Sequence, residues 1–258
     1  MQPTPHDDVN KVLDTLAKGL TRILGKNLIG LYLTGSLTYG DFDHNSSDID
    51  FLTVMDNTLS EKQLQGVEKL HKDIGDRYPL WKKRIEGSYI TKKMLTNREP
   101  PKESRIYINA GKIWTLVYGN EWLINLHALY TSGITLAGSD IKNLIKPVDI
   151  NAVRAASKNN LLGEWQPKLN DPFQFNEPDY DSNHLQAYAI LTMCRILYTE
   201  FQDQIVSKKV ASAWVKKTYG HPWDKLIEKA ENWKHGMEMN SERKTKAFIQ
   251  FVIDKVHT

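Results

Sequence analysis

The stretch that decides the fold is Leu-Ile-Gly-Leu-Tyr-Leu-Thr-Gly-Ser (28–36), followed after eleven residues by Asp-Ile-Asp-Phe-Leu-Thr-Val-Met (48–55). Both runs are short and apolar, which is typical of buried β-strands. Strand residues at i and i+2 share a face, so Asp48 and Asp50 are expected to point the same way. Two carboxylates this close repel each other unless a cation lies between them, and Mg²⁺ commonly takes one or two carboxylates plus phosphate oxygens. The pattern therefore predicts a metal and phosphate site.

A strand ending in Gly-Ser, a polar turn and an Asp-x-Asp opening the next strand together resemble the motif of the DNA polymerase beta-like nucleotidyltransferase superfamily. Either half alone is common in ordinary turns and solvated strands, so the combination carries the resemblance. It implies that Gly35, Ser36 and Ser47 bind the phosphates of ATP. It also implies that Asp48 and Asp50 bind Mg²⁺ and act in catalysis.

The superfamily implies a third carboxylate on a neighbouring strand, and residues 84–90 (Arg-Ile-Glu-Gly-Ser-Tyr-Ile) offer one. A strand here places Glu86 and Ser88 on one face and the apolar Ile85 and Tyr89 on the other. Glu86 is therefore predicted to be the general base that takes a proton from the acceptor hydroxyl. The alternative is an exposed charge at a sheet edge.

Composition limits the class of protein. The 258 residues include 34 Lys and Arg against 31 Asp and Glu, a net charge of only +3 without a clustered basic stripe, so no nucleic-acid partner is expected. The single cysteine, Cys194, excludes an intramolecular disulfide framework and is expected to be a buried small side chain. With no signal pattern and no apolar run of about 20 residues, we expect a cytoplasmic protein without a membrane partner and, by default, a monomer.

The order of elements predicts an α+β architecture in two domains. Residues 1–147 are expected to form a nucleotidyltransferase domain, a mixed sheet flanked by helices at about 7–25 and from 60, with further strand and helix at 114–130. After Lys146-Pro147 the strand signal ends. Residues 148–258 are expected to form a helical bundle, with helices from about Asp149, His184, Ser207, Pro222 and Ser241.

The C-terminal half resembles the aminoglycoside adenylyltransferases that modify streptomycin and spectinomycin, and with the first motif the resemblance covers nearly the whole chain. The residues that carry it are Leu191 to Tyr198, Ile205 to Lys208 and Ala211 to Trp214. The resemblance implies that Arg195 and Lys208, thirteen residues apart, reach the nucleotide phosphates. An Arg inside an apolar helix is costly to bury unless it meets an anion, although a local carboxylate could also serve.

The acceptor pocket is less clearly encoded. The resemblance implies an aromatic and acidic lining, for which Trp165, Trp114 and either Asp179 or Asp181 are the matching positions. Each Trp could equally be a core residue. The chain departs from the family in a longer loop at 166–182 and in Tyr188, where a small polar residue is common.

These observations predict Mg²⁺-dependent transfer of AMP from ATP to a hydroxyl of a small cationic aminoglycoside or aminocyclitol, conferring resistance. Two alternatives stay open. One is a nucleotidyltransferase that modifies another acceptor, such as a protein side chain in a toxin or its antidote. The other is a catalytically silent nucleotide-binding module.

Overall fold

The computed structural model describes residues 2–170, 182–234 and 236–257, which divide into two compact units between Val148 and Asp149. The predicted boundary, between residues 147 and 148, lies one residue earlier. Each unit is described separately below.

The first unit is built on a six-stranded sheet in the order β5-β4-β3-β2-β1-β6. Only the β2–β3 pair is parallel; the other neighbours are antiparallel. The strands are β1 (Leu28–Thr34), β2 (Ile49–Met55), β3 (Ile85–Thr91), β4 (Arg105–Asn109), β5 (Lys112–Leu116) and β6 (Ile134–Gly138).

In the described part of this unit, five α-helices accompany the sheet. They are α1 (Asp7–Leu24), α2 (Ser36–Tyr39), α3 (Glu61–Arg77), α4 (Lys92–Leu95) and α5 (Trp122–Ser132). The predicted capping box is present at α3, where the Ser60 side chain accepts from the Gln63 amide and Gln63 accepts from the Ser60 amide in return. Because α3 connects β2 to β3, it provides the crossover that a parallel pair requires.

The two faces of the sheet differ. One packs against α1 and α3 in a core that includes Leu31, Phe51 and Tyr89. Alternate residues such as Leu52 and Ile90 lie on the other face, and α4 follows β3 at one end of the strands. Asp50 and Glu86, each the second residue of its strand, lie at the opposite end of that face and are partly exposed. The predicted alternation is confirmed within the strands, since Ile49, Phe51, Ile85 and Tyr89 belong to the core while Asp50 and Glu86 are partly exposed; Asp48 lies before β2.

The second unit is helical: α6 (Ile150–Asn160), α7 (Ser182–Gln202), α8 (Lys208–Tyr219), α9 (Asp224–Glu231) and α10 (Glu242–His257), with a π-helical turn at Leu161–Trp165. The longest helix, α7, contacts α6, α8, α9 and α10, so the bundle core forms around it. Cys194 is fully buried in this core, and burial raises the pKa of its thiol, as expected of a packing residue rather than a nucleophile. The predicted α+β architecture is confirmed.

Within the ranges the structure describes, no helix combines the length and hydropathy needed to cross a bilayer.

Candidate active site

The turn after β1 brings the backbone against one of the predicted metal ligands. Gly35 has a φ of +69°, a left-handed conformation that favours glycine, and Ser36 begins α2 directly after it. A Cβ at Gly35 would overlap Oδ2 of Asp50 and lie 2.7 Å from its Cγ. The Asp50 carboxylate thus packs on Gly35, at the place where the motif predicts phosphates to bind.

The parallel pairing of β2 and β3 sets two carboxylates side by side. Asp50 is the register partner of Glu86, and on the other side Asp50 pairs with Thr34, the last residue of β1. Register partners project from the same face of a sheet, about 5 Å apart between neighbouring strands. The sheet itself therefore juxtaposes the Asp-x-Asp motif and the predicted base.

Glu86 is held by residues of β4. The Tyr107 hydroxyl donates a hydrogen bond to Oε1 of Glu86, and Nδ2 of Asn109 donates to the Tyr107 oxygen at 3.2 Å. On β5, Trp114 is the register partner of Tyr107 and is partly buried. Trp114, which is predicted to line the acceptor pocket, thus lies on the same face of the sheet as Glu86, two strands away.

Asp48 precedes β2 and belongs to a compact turn. Its side chain is 39% exposed, and its Oδ1 lies 3.7 Å from Nε of Arg84. Within the same turn, the Ser47 hydroxyl accepts a hydrogen bond from the Asp43 amide at 3.0 Å and the Ser47 amide donates to the Asp43 carbonyl at 2.8 Å. Ser47 and Asp48 are therefore presented by an internally bonded turn.

Arg84 contacts this turn from the residue before β3. Its Nη1 donates to the His44 carbonyl at 3.0 Å, and its Nη2 donates to the Ser47 carbonyl. Burial lowers the pKa of the Arg84 guanidinium, and nearby carboxylates oppose that shift, namely Asp48, Asp43 and Asp8. An arginine remains charged under such conditions. The contacts of Arg84, Tyr107 and Asn109 were not predicted from the sequence.

In the second unit, Arg195 and Lys208 lie on neighbouring packed helices, α7 and α8. Nζ of Lys208 lies 4.8 Å from the ring centroid of Tyr188, a cation–π distance. Arg195 is seven residues after Tyr188 on α7, so both occupy nearly the same helix face. The structure therefore groups the two predicted phosphate-binding cations within this unit.

Of the acceptor-pocket residues predicted in the second unit, the structure describes Trp165 only. Trp165 is a core side chain, 3% exposed, whose Nε1 donates to Oδ1 of Asn160 at 3.1 Å. Its ring lies 5.9 Å from that of Tyr188. Asp179 and Asp181 lie outside the described residues.

Comparison with known proteins covers both units. Residues 143–257 match the family described as "Aminoglycoside adenylyltransferase, C-terminal domain", and residues 13–106 match the "Nucleotidyltransferase domain". The chain thus matches both the catalytic and the C-terminal domain of an aminoglycoside adenylyltransferase, and the predicted resemblance to that family is confirmed. It is thus a nucleotidyltransferase of the adenylyltransferase kind, as the first motif and the bundle predicted.

Two similar proteins are informative. A spectinomycin 9-adenylyltransferase of Campylobacter jejuni is 26% identical over 222 residues, covering 83% of this chain and 78% of the relative. A crystal structure of the spectinomycin adenyltransferase AAD(9) from Enterococcus faecalis, with ATP and spectinomycin, matches with a TM-score of 0.73. That match covers 96% of this chain and 99% of the other at 21% identity, which shows a shared fold.

The carboxylates of this adenylyltransferase suit a hard cation. Among the described residues, no group of three or more His, Cys, Asp or Glu side chains has the geometry of a complete metal cage. Mg²⁺ does not require one, because it commonly takes one or two carboxylates together with water and substrate phosphate. Asp48 and Asp50 provide such a donor set beside the glycine cradle, so the residues present fit the ion.

Proposed function

We propose that the protein transfers AMP from ATP to a hydroxyl of an aminocyclitol antibiotic of the spectinomycin or streptomycin type, with Mg²⁺, and thereby confers resistance. The observation that carries the proposal is the register pairing of Asp50 with Glu86 next to Gly35. A carboxylate suited to metal and a carboxylate suited to proton transfer then lie side by side. The cytoplasmic location and monomeric state expected from the sequence form part of this proposal.

The chemistry is an in-line displacement at the α-phosphorus of ATP. The acceptor oxygen forms a bond to that phosphorus, and the bond from the α-phosphorus to the oxygen bridging to the β-phosphate breaks. Pyrophosphate leaves with the electron pair, while the hydroxyl proton passes to the Glu86 carboxylate. When bound by Asp48 and Asp50, Mg²⁺ would supply neutralisation of charge on the phosphate oxygens.

Other residues of the chain would bind the phosphates, orient the base and contact the acceptor. Gly35, Ser36 and Ser47 hold and orient the phosphates, and Tyr107 orients Glu86 by donating to one of its carboxylate oxygens. Arg195 and Lys208 add positive charge for the phosphates. Trp114 provides a flat apolar surface on the Glu86 face for the acceptor rings. Trp165, Asp179 and Asp181 stay predictions for that pocket.

Pyrophosphate release with ATP and Mg²⁺, measured for spectinomycin, streptomycin and other aminoglycosides, tests the proposal. Spectinomycin-dependent release is expected, because both named relatives are spectinomycin enzymes. Expression in a susceptible bacterium should raise the inhibitory concentration of the same drug. Thermal stabilisation by ATP and Mg²⁺ without release on any drug would favour another acceptor, and no stabilisation would favour the silent module.

Glu86→Gln tests the proton-transfer step directly. The variant retains shape and hydrogen-bonding capacity but cannot accept the proton, so kcat should fall by roughly 10²–10⁴ while ATP affinity stays near wild type. Glu103→Gln is the control, since Glu103 is a surface carboxylate paired with Lys93. Normal turnover in Glu86→Gln would remove Glu86 from the role of base.

A further inference from the structure

We propose that Arg84 is a positioning residue for the nucleotide and metal site, holding the turn that presents Ser47 and Asp48. The inference rests on the proposed function, because it concerns how that site is held in shape. It adds a residue that neither the motif nor the family resemblance assigns.

The contacts of Arg84 span the turn. Two nitrogens donate to main-chain carbonyls three residues apart, those of His44 and Ser47, and the third nitrogen lies 3.7 Å from the Asp48 carboxylate. The Arg84 side chain is only 13% exposed. A planar guanidinium can hold two such carbonyls at once in a fixed geometry, whereas a lysine ammonium acts as a point charge on a flexible stem.

The guanidinium is itself fixed from the other side. Its carbon lies 4.6 Å from the ring centroid of Trp81, which is 1% exposed. Nε1 of Trp81 donates to Oδ2 of Asp8 at 3.1 Å, and the same oxygen lies 2.7 Å from Nε2 of His44. Trp81, on which the Arg84 guanidinium stacks, is therefore linked through Asp8 to His44 in the turn that Arg84 holds.

The main chain of Arg84 links the two halves of the site. Its carbonyl accepts a hydrogen bond from the Ile49 amide at 2.8 Å, immediately after Asp48. The next residue, Ile85, begins β3, which carries Glu86. Arg84 thus fixes the position of Asp48 relative to the strand of the base.

Positioning and charge predict opposite effects on metal binding. If Arg84 mattered only as a positive charge near Asp48, its removal would strengthen binding of a divalent cation, because two like charges would no longer repel. If Arg84 orients the ligand turn, its removal weakens binding. Residues that orient metal ligands typically cost about 10–100-fold in metal affinity or activity when replaced.

The experiment measures Mn²⁺ binding in the presence of ATP by electron paramagnetic resonance for wild type, Arg84→Gln and Arg84→Lys. Neither variant has the planar guanidinium that donates to both carbonyls, so Mn²⁺ affinity is expected to fall about tenfold or more in each. Arg77→Lys is the matched control and should bind as wild type, because Arg77 is an exposed arginine over the Tyr78 ring at the end of α3. A purely structural role would lower the melting temperature and leave the Mn²⁺ affinity of the folded variants unchanged.

Tighter or unchanged Mn²⁺ binding in folded Arg84→Gln and Arg84→Lys, with wild type binding normally, overturns the role of Arg84 alone. Failure of wild type to bind Mn²⁺ with ATP overturns the proposed function and this inference together. If both variants fail to fold, ¹⁵N spectra of wild-type guanidinium groups decide the matter. Mn²⁺ with ATP should broaden the Arg84 Nε–H signal and spare that of Arg77, and an unaffected Arg84 signal counts against the proposal.

Discussion

Two glycines with left-handed backbone flank the first short helix of the motif. Gly35 has a φ of +69° and Gly40 a φ of +75°. Their surroundings differ, because a Cβ at Gly35 would overlap the Asp50 carboxylate, whereas a Cβ at Gly40 would meet nothing within 4 Å. Gly40, with a ψ of 14°, lies in the αL region, whereas Gly35, with a ψ of −154°, lies where essentially only glycine is found, and only Gly35 packs on the predicted metal ligand Asp50.

Gly35→Ala and Gly40→Ala separate these two effects. Gly40→Ala should lose about 1–2 kcal/mol of stability, because an L-residue is strained in the αL region, and Gly35→Ala should lose more, because its backbone conformation is rarer and its Cβ would overlap Asp50. Only Gly35→Ala must also displace Asp50, so its kcat/KM should fall at least about tenfold below that of Gly40→Ala. Thermal unfolding and pyrophosphate release measure both quantities. Equal activity in the two variants would show that contact between Gly35 and Asp50 has no catalytic importance.

At the scale of elements, the sequence predicted those strands and helices whose signal is local. The two motif strands, the Glu86 strand, α3 with its capping box and the helices of the second unit match the pattern of apolar residues. Two strands were missed. β4 follows a polar Pro-rich loop and is turned into β5 at Ala110 and Gly111. β6 begins directly after Gly133 and ends at Gly138, two glycines that were interpreted as breaks.

The missed features share a physical cause. β6 pairs with β1 across about a hundred residues of chain, a non-local contact that periodicity does not reveal. Arg84 likewise meets its partners only once the turn at 44–48 has folded, so its charge beside the Glu86 strand was the sole available signal. By contrast, the juxtaposition of Asp50 and Glu86 was predictable, because the superfamily resemblance implies a third carboxylate on a neighbouring strand and the local pattern of residues 84–90 provides one.

The packing of α3 on β3 predicts a pH-dependent stability. His71 of α3 stacks on Phe51 and lies 2.7 Å from the Tyr89 hydroxyl, and burial lowers the His71 pKa to about 4. Between the unfolded value of about 6.5 and 4, the unfolded chain binds a proton that the folded chain does not. Stability is therefore lost as the pH falls through this window.

His71→Gln should remove that linkage. Between pH 6 and 4.5, the free energy of unfolding of wild type should fall more steeply than that of the variant, by up to about 1.4 kcal/mol per pH unit. Urea titrations at a series of pH values measure the two slopes, and values at pH 8 correct for the lost contact with Tyr89. Parallel slopes would mean that His71 titrates similarly in the folded and unfolded chains.

At the scale of the whole molecule, each unit has its own hydrophobic core. The first is built from the sheet, α1 and α3, and the second from the helices around α7. In the second core, Phe248 is fully buried and lies against Trp223, with ring centroids 4.9 Å apart. Phe201, on α7, is 45% exposed.

Phe248→Ala should cost about 3–5 kcal/mol, because it leaves a cavity in the bundle core. Hydrogen exchange monitored by mass spectrometry should show the lost protection chiefly in peptides from 149–257, since the side chain belongs to that core. Phe201→Ala removes the same group from an exposed position and should cost much less. Similar loss of protection throughout residues 2–148 would indicate that the two cores unfold as one.

The in-register pairing of β2 and β3 has a consequence for how the chain tolerates change. The backbone ladder, rather than the length of the connection between the strands, sets the spacing of Asp50 and Glu86. A flexible peptide inserted ahead of α3 would therefore lengthen the path between the two residues without separating them. Doubling a loop costs only about 0.6 kcal/mol in closure entropy. This crossover is thus a natural place to graft a tag or reporter into a working enzyme.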